Sequence, residues 1–219
     1  MCGRFTLTQS PDSVAKAFGL SAVPSFPPRY NIAPSQPVGA IVQDRDSGER
    51  EFRLMVWGLI PAWAKDPSKF SFINARAETV AEKASFRSAY KYRRCLIPAD
   101  GFYEWQKVQH GSKQPFYFSM IGGGLFAFAG LWETWNDLET FTILTTSANA
   151  LLQTIHDRMP VILQPDDCER WLDPSIQLPR ELSGLLQPFP DEQMQAFPVS
   201  TRVNRVKVDD VQCIEPLQE

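Results

Sequence analysis

The chain has 219 residues, 43 % of them hydrophobic, with 22 basic and 25 acidic residues and a formal charge of −3. That length suffices for one ordinary hydrophobic core, and the charge balance excludes a surface coated in cations that would hold nucleic acid by bulk electrostatics, though not a local basic groove. No stretch approaches the roughly 18 apolar residues that span a bilayer and no apolar run follows Met1, so the expectation is a monomeric cytoplasmic protein with no membrane contact.

In chain order, Ser10-Pro11-Asp12 reads as an N-cap followed by proline at the first helical position, and Val14, Ala17 and Phe18 keep one apolar face until Gly19 stops the helix. Five prolines between residues 22 and 37 preclude helix and predict an ordered loop carrying Arg29-Tyr30-Asn31-Ile32-Ala33-Pro34. Residues 38–43 and 52–57 read as a β-hairpin turning at 46–48. Residues 82–90 have helical character. Stretches at 95–97, 101–107, 115–119, 125–131 and 141–146 are short strands rich in aromatic and β-branched residues, with turn signals at 110–112 and 122–124 between them. Helices are expected over 148–155, 166–172 and 181–186. The fold class that follows is α+β, mainly antiparallel β-sheets, curled or barrel-like, flanked by short helices, in a single domain over residues 1–219.

Four cysteines stand far apart with no C-x-x-C pair, and the chain has only two histidines, so neither a metal site nor any other cofactor is expected, and no disulfide. Cys95, Cys168 and Cys213 read as structural. Cys2 differs. Methionine aminopeptidases remove Met1 when the next residue is small, which leaves Cys2 with a free α-amino group and a thiol on adjacent carbons. Such a 1,2-aminothiol condenses with an aldehyde to a Schiff base, after which the thiol closes a five-membered thiazolidine ring, a reaction open to no internal cysteine. At an α-amino pKa of about 7.7–8.0, roughly a tenth of the amine is unprotonated at pH 7. The bland alternative is a small residue merely tolerated after Met1.

Three further segments carry candidate groups. Asn74, Arg76 and Glu78 alternate with small residues, so an extended segment points all three to one side; an exposed strand face has the same pattern. Glu104 lies between Tyr103 and Trp105 in a strand-like stretch, where burial would raise its pKa and suit it to proton transfer, whereas a solvent-facing glutamate would alternate with inward aromatics. His156 follows a helix and precedes a strand, either as an acid or base near neutral pH or as a capping residue at the core edge. His110, in a turn, reads as exposed.

Seven stretches, Cys2-Gly3-Arg4-Phe5, Arg29-Tyr30-Asn31-Ile32-Ala33-Pro34, Trp57-Gly58-Leu59-Ile60-Pro61, Asn74-Ala75-Arg76-Ala77-Glu78-Thr79, Ala99-Asp100-Gly101-Phe102-Tyr103-Glu104-Trp105, His156-Asp157-Arg158-Met159-Pro160 and Pro198-Val199-Ser200, together resemble the SOS response-associated peptidase family. Its members include proteins that shield abasic sites in DNA. The resemblance implies that Cys2 becomes the N-terminal residue and forms a thiazolidine with the ring-opened aldehyde of an abasic deoxyribose in single-stranded DNA. It implies that Asn74 orients the sugar and the amine, that Glu104 is the general acid and base, and that His156 assists opening and closing of the sugar ring.

For the strand itself, Arg4, Arg76 and Arg158 lie beside these residues, where guanidinium groups pair with flanking phosphates. Trp63 and Trp105 are candidates for stacking on bases or wedging the strand, and Asn31, Pro34 and Thr145 for lining the cleft. About three phosphate contacts correspond to a salt slope near −2, at roughly −0.7 each. Where ring closure fails, the Schiff base leads to β-elimination, a lyase outcome. Two other readings stay open: an N-terminal-nucleophile cysteine peptidase or amidohydrolase, the activity the family name records, and a noncatalytic single-strand binding module.

Overall fold

The computed structural model describes residues 2–44, 47–107 and 113–217. From the N-terminus these form β1 (Phe5–Leu7), α1 (Pro11–Phe18), β2 (Arg29–Ile32), β3 (Pro37–Gln43), β4 (Arg50–Trp57), β5 (Asn74–Arg76) and α2 (Arg87–Tyr92). Then come β6 (Arg94–Ala99), β7 (Gly101–Gln106), β8 (Gln114–Met120), β9 (Phe126–Trp135), β10 (Leu138–Ser147) and α3 (Ala150–Gln153). The remainder is β11 (Arg158–Pro160), β12 (Ile162–Leu163), α4 (Pro165–Leu172), α5 (Pro179–Leu182) and β13 (Met194–Pro198).

Local chemistry accounts for many of these boundaries. Ser10 accepts a hydrogen bond from the Ser13 N–H, Pro11 opens α1, and Gly19 ends it in the left-handed conformation at φ 65°, which costs glycine nothing. Asn149 caps α3 by accepting from the Leu152 N–H at 3.0 Å.

The strands divide between two sheets. One has five strands in the order β13-β8-β7-β1-β2; the other runs β11-β10-β4-β3-β6-β9-β12, with β5 added to β10. Because β9 also pairs with β10, the strands β3, β4, β10, β9 and β6 close on themselves as a barrel, which leaves these strands few open edges. Pairing is antiparallel except where β10 meets β4 and β5. This is the α+β, mainly antiparallel, barrel-like class expected from the sequence.

The core lies between and inside these sheets. Phe5 of the five-stranded sheet packs edge-on against Trp57 at 5.2 Å and Phe128 at 5.7 Å, both of the barrel. All three rings are fully buried. A second, smaller cluster gathers Tyr103, Tyr117, Val199, Val203 and Cys213 on the other face of the five-stranded sheet.

Two expectations are corrected. Within the proline-rich stretch, residues 29–32 form β2 rather than loop, pairing with β1; Pro27 and Pro28 end just before it, so no proline N–H is missing from the ladder. The helix expected over 82–90 is shifted: residues 77–86 are turns and α2 begins only at Arg87. Phe86 is the reason, being buried against Phe72 at a ring distance of 5.1 Å, which sets the chain direction before the helix begins. The helix expected over 181–186 is α5 followed by a 3₁₀ turn. The expected turn at 110–112 lies outside the described residues, and that at 46–48 lies partly outside them.

Candidate functional site

β1 begins three residues after Cys2 and fixes where Cys2 sits. Phe5 pairs with Phe102 and Thr6 with Gly101, and the Tyr103 N–H donates to the Arg4 carbonyl at 3.0 Å, so the N-terminal segment lies against the stretch of β7 that holds Glu104. Strand alternation puts Phe102 and Glu104 on one face of β7 and Tyr103 and Trp105 on the other. Phe102 enters the main core, Tyr103 and Trp105 belong to the smaller cluster, and Glu104 is only 2 % exposed, so the buried reading of this glutamate holds.

Asn74 arrives from the barrel side. Trp57 donates its indole N–H to the Ile73 carbonyl at 2.8 Å and Leu59 bridges Phe72, which pins the entry to β5, while β5 itself pairs in parallel with residues 143–145 of β10. From there Asn74 Nδ2 donates to the Cys2 carbonyl at 2.8 Å, across the seam between the sheets. Asn74 Oδ1 is buried and has no hydrogen-bond partner among the described residues.

Burial dominates the electrostatics. It pushes the Cys2 thiol far up, and the charge of Glu104 adds to the effect. Burial also raises the Glu104 carboxyl, opposed by the nearby positive charge of His156, among others. Glu104 is therefore within electrostatic reach of both Cys2 and His156. His156 lies in the loop after α3, where Gln106 Nε2 of β7 donates to the Thr154 carbonyl at 3.2 Å. Its Nδ1 accepts from the Arg158 N–H at 3.0 Å and lies 3.0 Å from Asp157 Oδ1. The two contacts exclude each other, since the first needs a lone pair on Nδ1 and the second a proton, so the presence of a proton on Nδ1 decides which is made.

Around this centre the predicted strand-binding residues differ in what they present. Arg76 and Trp63 are exposed, Trp63 by 55 %, with its ring edge-on to Phe70 at 5.1 Å. Pro34 and Trp105 are half-buried, and Trp105 Nε1 donates to Asn204 Oδ1 at 2.7 Å. Arg158 Nη1 and Nη2 donate to the two Glu78 carboxylate oxygens at 2.5 and 2.9 Å, and Nη2 also reaches the Thr145 carbonyl. Glu78 lies in the turn after β5, so the alternation that places Asn74 and Arg76 does not extend to it. Arg4 Nη1 donates to Asn31 Oδ1 and to the Val203 carbonyl, both at 2.6 Å. Asn31 and Thr145 are fully buried. In the structure Asn31 and Thr145 hold Arg4 and Arg158.

Some of the supporting residues escaped sequence reading. Asp209 accepts from the N–H groups of Tyr30 and Asn31 at 2.5 and 2.9 Å and from Arg29 Nε at 2.5 Å, and Asn31 Nδ2 donates to the carbonyls of Val203, Arg205 and Val208. Asp100, inside a recognised stretch but unassigned, accepts from Thr6 Oγ1 at 2.5 Å and from Thr8 N and Oγ1 at 2.6 and 2.7 Å. An aspartate beside a strand-turning glycine, in Asp100-Gly101, was the available signal for the second; nothing local pointed to the first. A cavity of about 710 Å³ between α1, β12 and α4, lined by Phe18, Arg50, Leu163 and Cys168, contains none of the site residues. Among the described residues, no group of three or more His, Cys, Asp or Glu side chains could hold a metal ion.

Fold and site together define a class: a two-sheet α+β protein that holds a cysteine at position 2 against an asparagine and near a buried glutamate, with a histidine within reach of that glutamate. Residues 1–206 match the model of the SOS response associated peptidase (SRAP) family, and the chain belongs to that family. It is 45 % identical to abasic site processing protein YoqW of Bacillus subtilis, over 98 % of this chain and 99 % of that one. It is 34 % identical to abasic site processing protein HMCES of Xenopus tropicalis, over 98 % of this chain and 78 % of the other. Among solved structures, a protein from Bacteroides thetaiotaomicron superimposes with a TM-score of 0.89 at 27 % identity, over 99 % of this chain and 100 % of its own.

Proposed function

We propose that this chain processes abasic sites in DNA, and that it does so by covalent capture of the lesion in single-stranded DNA through Cys2 once Met1 is removed. The coarser part of the reading is supported by relatives that are named abasic site processing proteins and match nearly the whole chain. The finer part is carried by one observation: Asn74 holds the Cys2 carbonyl at 2.8 Å beside a buried Glu104.

The chemistry follows from those positions. The Cys2 amine attacks the C1′ aldehyde of the ring-opened deoxyribose, and the carbinolamine loses one water, its hydroxyl taking a proton from the Glu104 carboxyl. Because burial keeps Cys2 protonated at sulfur, the amine acts first and the thiol second. The S–C bond then forms at the iminium carbon as the thiol gives its proton to the Glu104 carboxylate, which restores the carboxyl and leaves the ring nitrogen as a neutral N–H. His156 serves ring opening before the first step. The peptidase alternative, in which Cys2 attacks an amide with its own amine as base, has no separate observation in its favour.

Intact-mass measurement after incubation with an abasic single-stranded oligonucleotide tests this. The expected product is the chain without Met1 plus the oligonucleotide less one water. A Cys2→Ala protein is expected to give no stable adduct, and equal adduct from that protein would overturn the reading.

A further inference from the structure

Glu78 is a residue that the proposed chemistry does not use, yet it covers the arginine nearest His156. Its carboxylate meets the Arg158 guanidinium through both terminal nitrogens, at 2.5 and 2.9 Å, in the two-oxygen geometry that a phosphate also offers. The two partners differ in how firmly they are held. The Arg158 side chain is 14 % exposed and is anchored from below by the Thr145 carbonyl, whereas the Glu78 side chain is 51 % exposed. Arg76 also lies within electrostatic reach of Glu78. An anion arriving from solvent therefore finds Arg158 already in place and covered by the Glu78 carboxylate.

We propose that Glu78 is a built-in competitor for DNA phosphate: its carboxylate occupies the phosphate seat on Arg158, and an entering strand must displace it. The proposal rests on the abasic-site reading above for the identity of the strand, but its physical content concerns binding alone. Displacement exchanges one half-exposed ion pair for another, so Glu78 subtracts from affinity for any strand and sharpens the preference for ligands that deliver a phosphate beside the site. It also blunts the salt response. When a phosphate replaces Glu78, the released carboxylate gathers its own counterion, and the cation freed from the DNA is not a net gain.

The test compares wild type with Glu78→Gln, which keeps the shape and removes the charge. With a fluorescent, undamaged single-stranded oligonucleotide, Glu78→Gln is expected to bind about two- to fivefold more tightly at low salt, the scale of a half-exposed ion pair. The slope of log K against log salt should steepen by up to about 0.7, one further phosphate contact. With abasic oligonucleotide, adduct formation at limiting DNA should rise by the same factor, while the maximal rate at saturating DNA stays unchanged. In an Arg158→Gln background the gain should vanish. Unchanged or weaker binding by Glu78→Gln, a gain that survives without Arg158, or no binding by any of the proteins would overturn the proposal. Wild type that binds strand but forms no adduct would instead remove the abasic-site reading, and the binding comparison would still decide the role of Glu78.

Discussion

Glu104 stands between two aromatic residues in sequence but on the opposite face of β7 from both, and that alternation takes its carboxyl into the interior beside Cys2. Burial favours the protonated form, which is the form that donates to a departing hydroxyl. Two consequences follow at this scale. Glu104→Gln should lower the rate of adduct formation by about 10²–10⁴-fold, the usual span for a positioned acid and base, measured as single-turnover crosslinking. The same substitution should stabilise the fold at high pH. Since the folded-state pKa is raised above the unfolded value, the charged carboxylate costs the native state nothing below about pH 4, costs progressively more as pH rises towards the folded pKa, and a constant amount above it. Glu104→Gln should therefore melt higher than wild type at pH 8, by about 2–4 °C for each kcal/mol relieved, and no higher at pH 4.

Among the elements, β2 shows why part of the fold was hidden. It is an edge strand of the five-stranded sheet, and its outer N–H groups at Tyr30 and Asn31 are taken up by one carboxylate, Asp209, from about 180 positions away in sequence. Proline density argued for loop; the ladder and this distant acceptor decided for strand. Asp209→Ala should leave two backbone donors unmatched and cost about 1–3 kcal/mol in denaturant unfolding. Because Asn31 holds Arg4, the same change should weaken strand binding more than Asp210→Ala, whose carboxylate pairs with exposed Arg202 and caps the Gln212 N–H. By contrast, α1 was readable to its ends, since its cap, its proline and its terminating glycine all lie within ten residues.

Across the whole molecule, the site exists because two sheets meet. Glu104 comes from the five-stranded sheet and Cys2 from the segment that leads into its β1, Asn74 from the strand appended to the barrel, and His156 from the loop that leads into β11. Phe5, wedged between Trp57 and Phe128, is the side chain that holds the first sheet against the second only three positions from Cys2. Phe5→Leu should cost about 1–2 kcal/mol of stability through lost packing. It should also slow adduct formation by more than the fraction unfolded explains, because the bond from Asn74 to the Cys2 carbonyl spans the same junction; chemical denaturation and single-turnover rates on one preparation separate the two effects.

By itself the sequence singled out the candidate residues and determined which short segments turn, cap and alternate. A cysteine at position 2, a glycine after a helix and an aromatic-flanked glutamate are properties of neighbouring residues, and local sterics and protonation chemistry act on them directly. Only the tertiary structure decided which of these residues meet. Asn74 and Cys2 are 72 positions apart, and Arg4 and Val203 are 199 apart. It also decided that Asn31 and Thr145 face inward and that Glu78 covers Arg158. Such pairings are set by strand register and by the packing of one sheet on another, whose free energy is summed over the whole buried interface and leaves no mark on any single stretch of the chain.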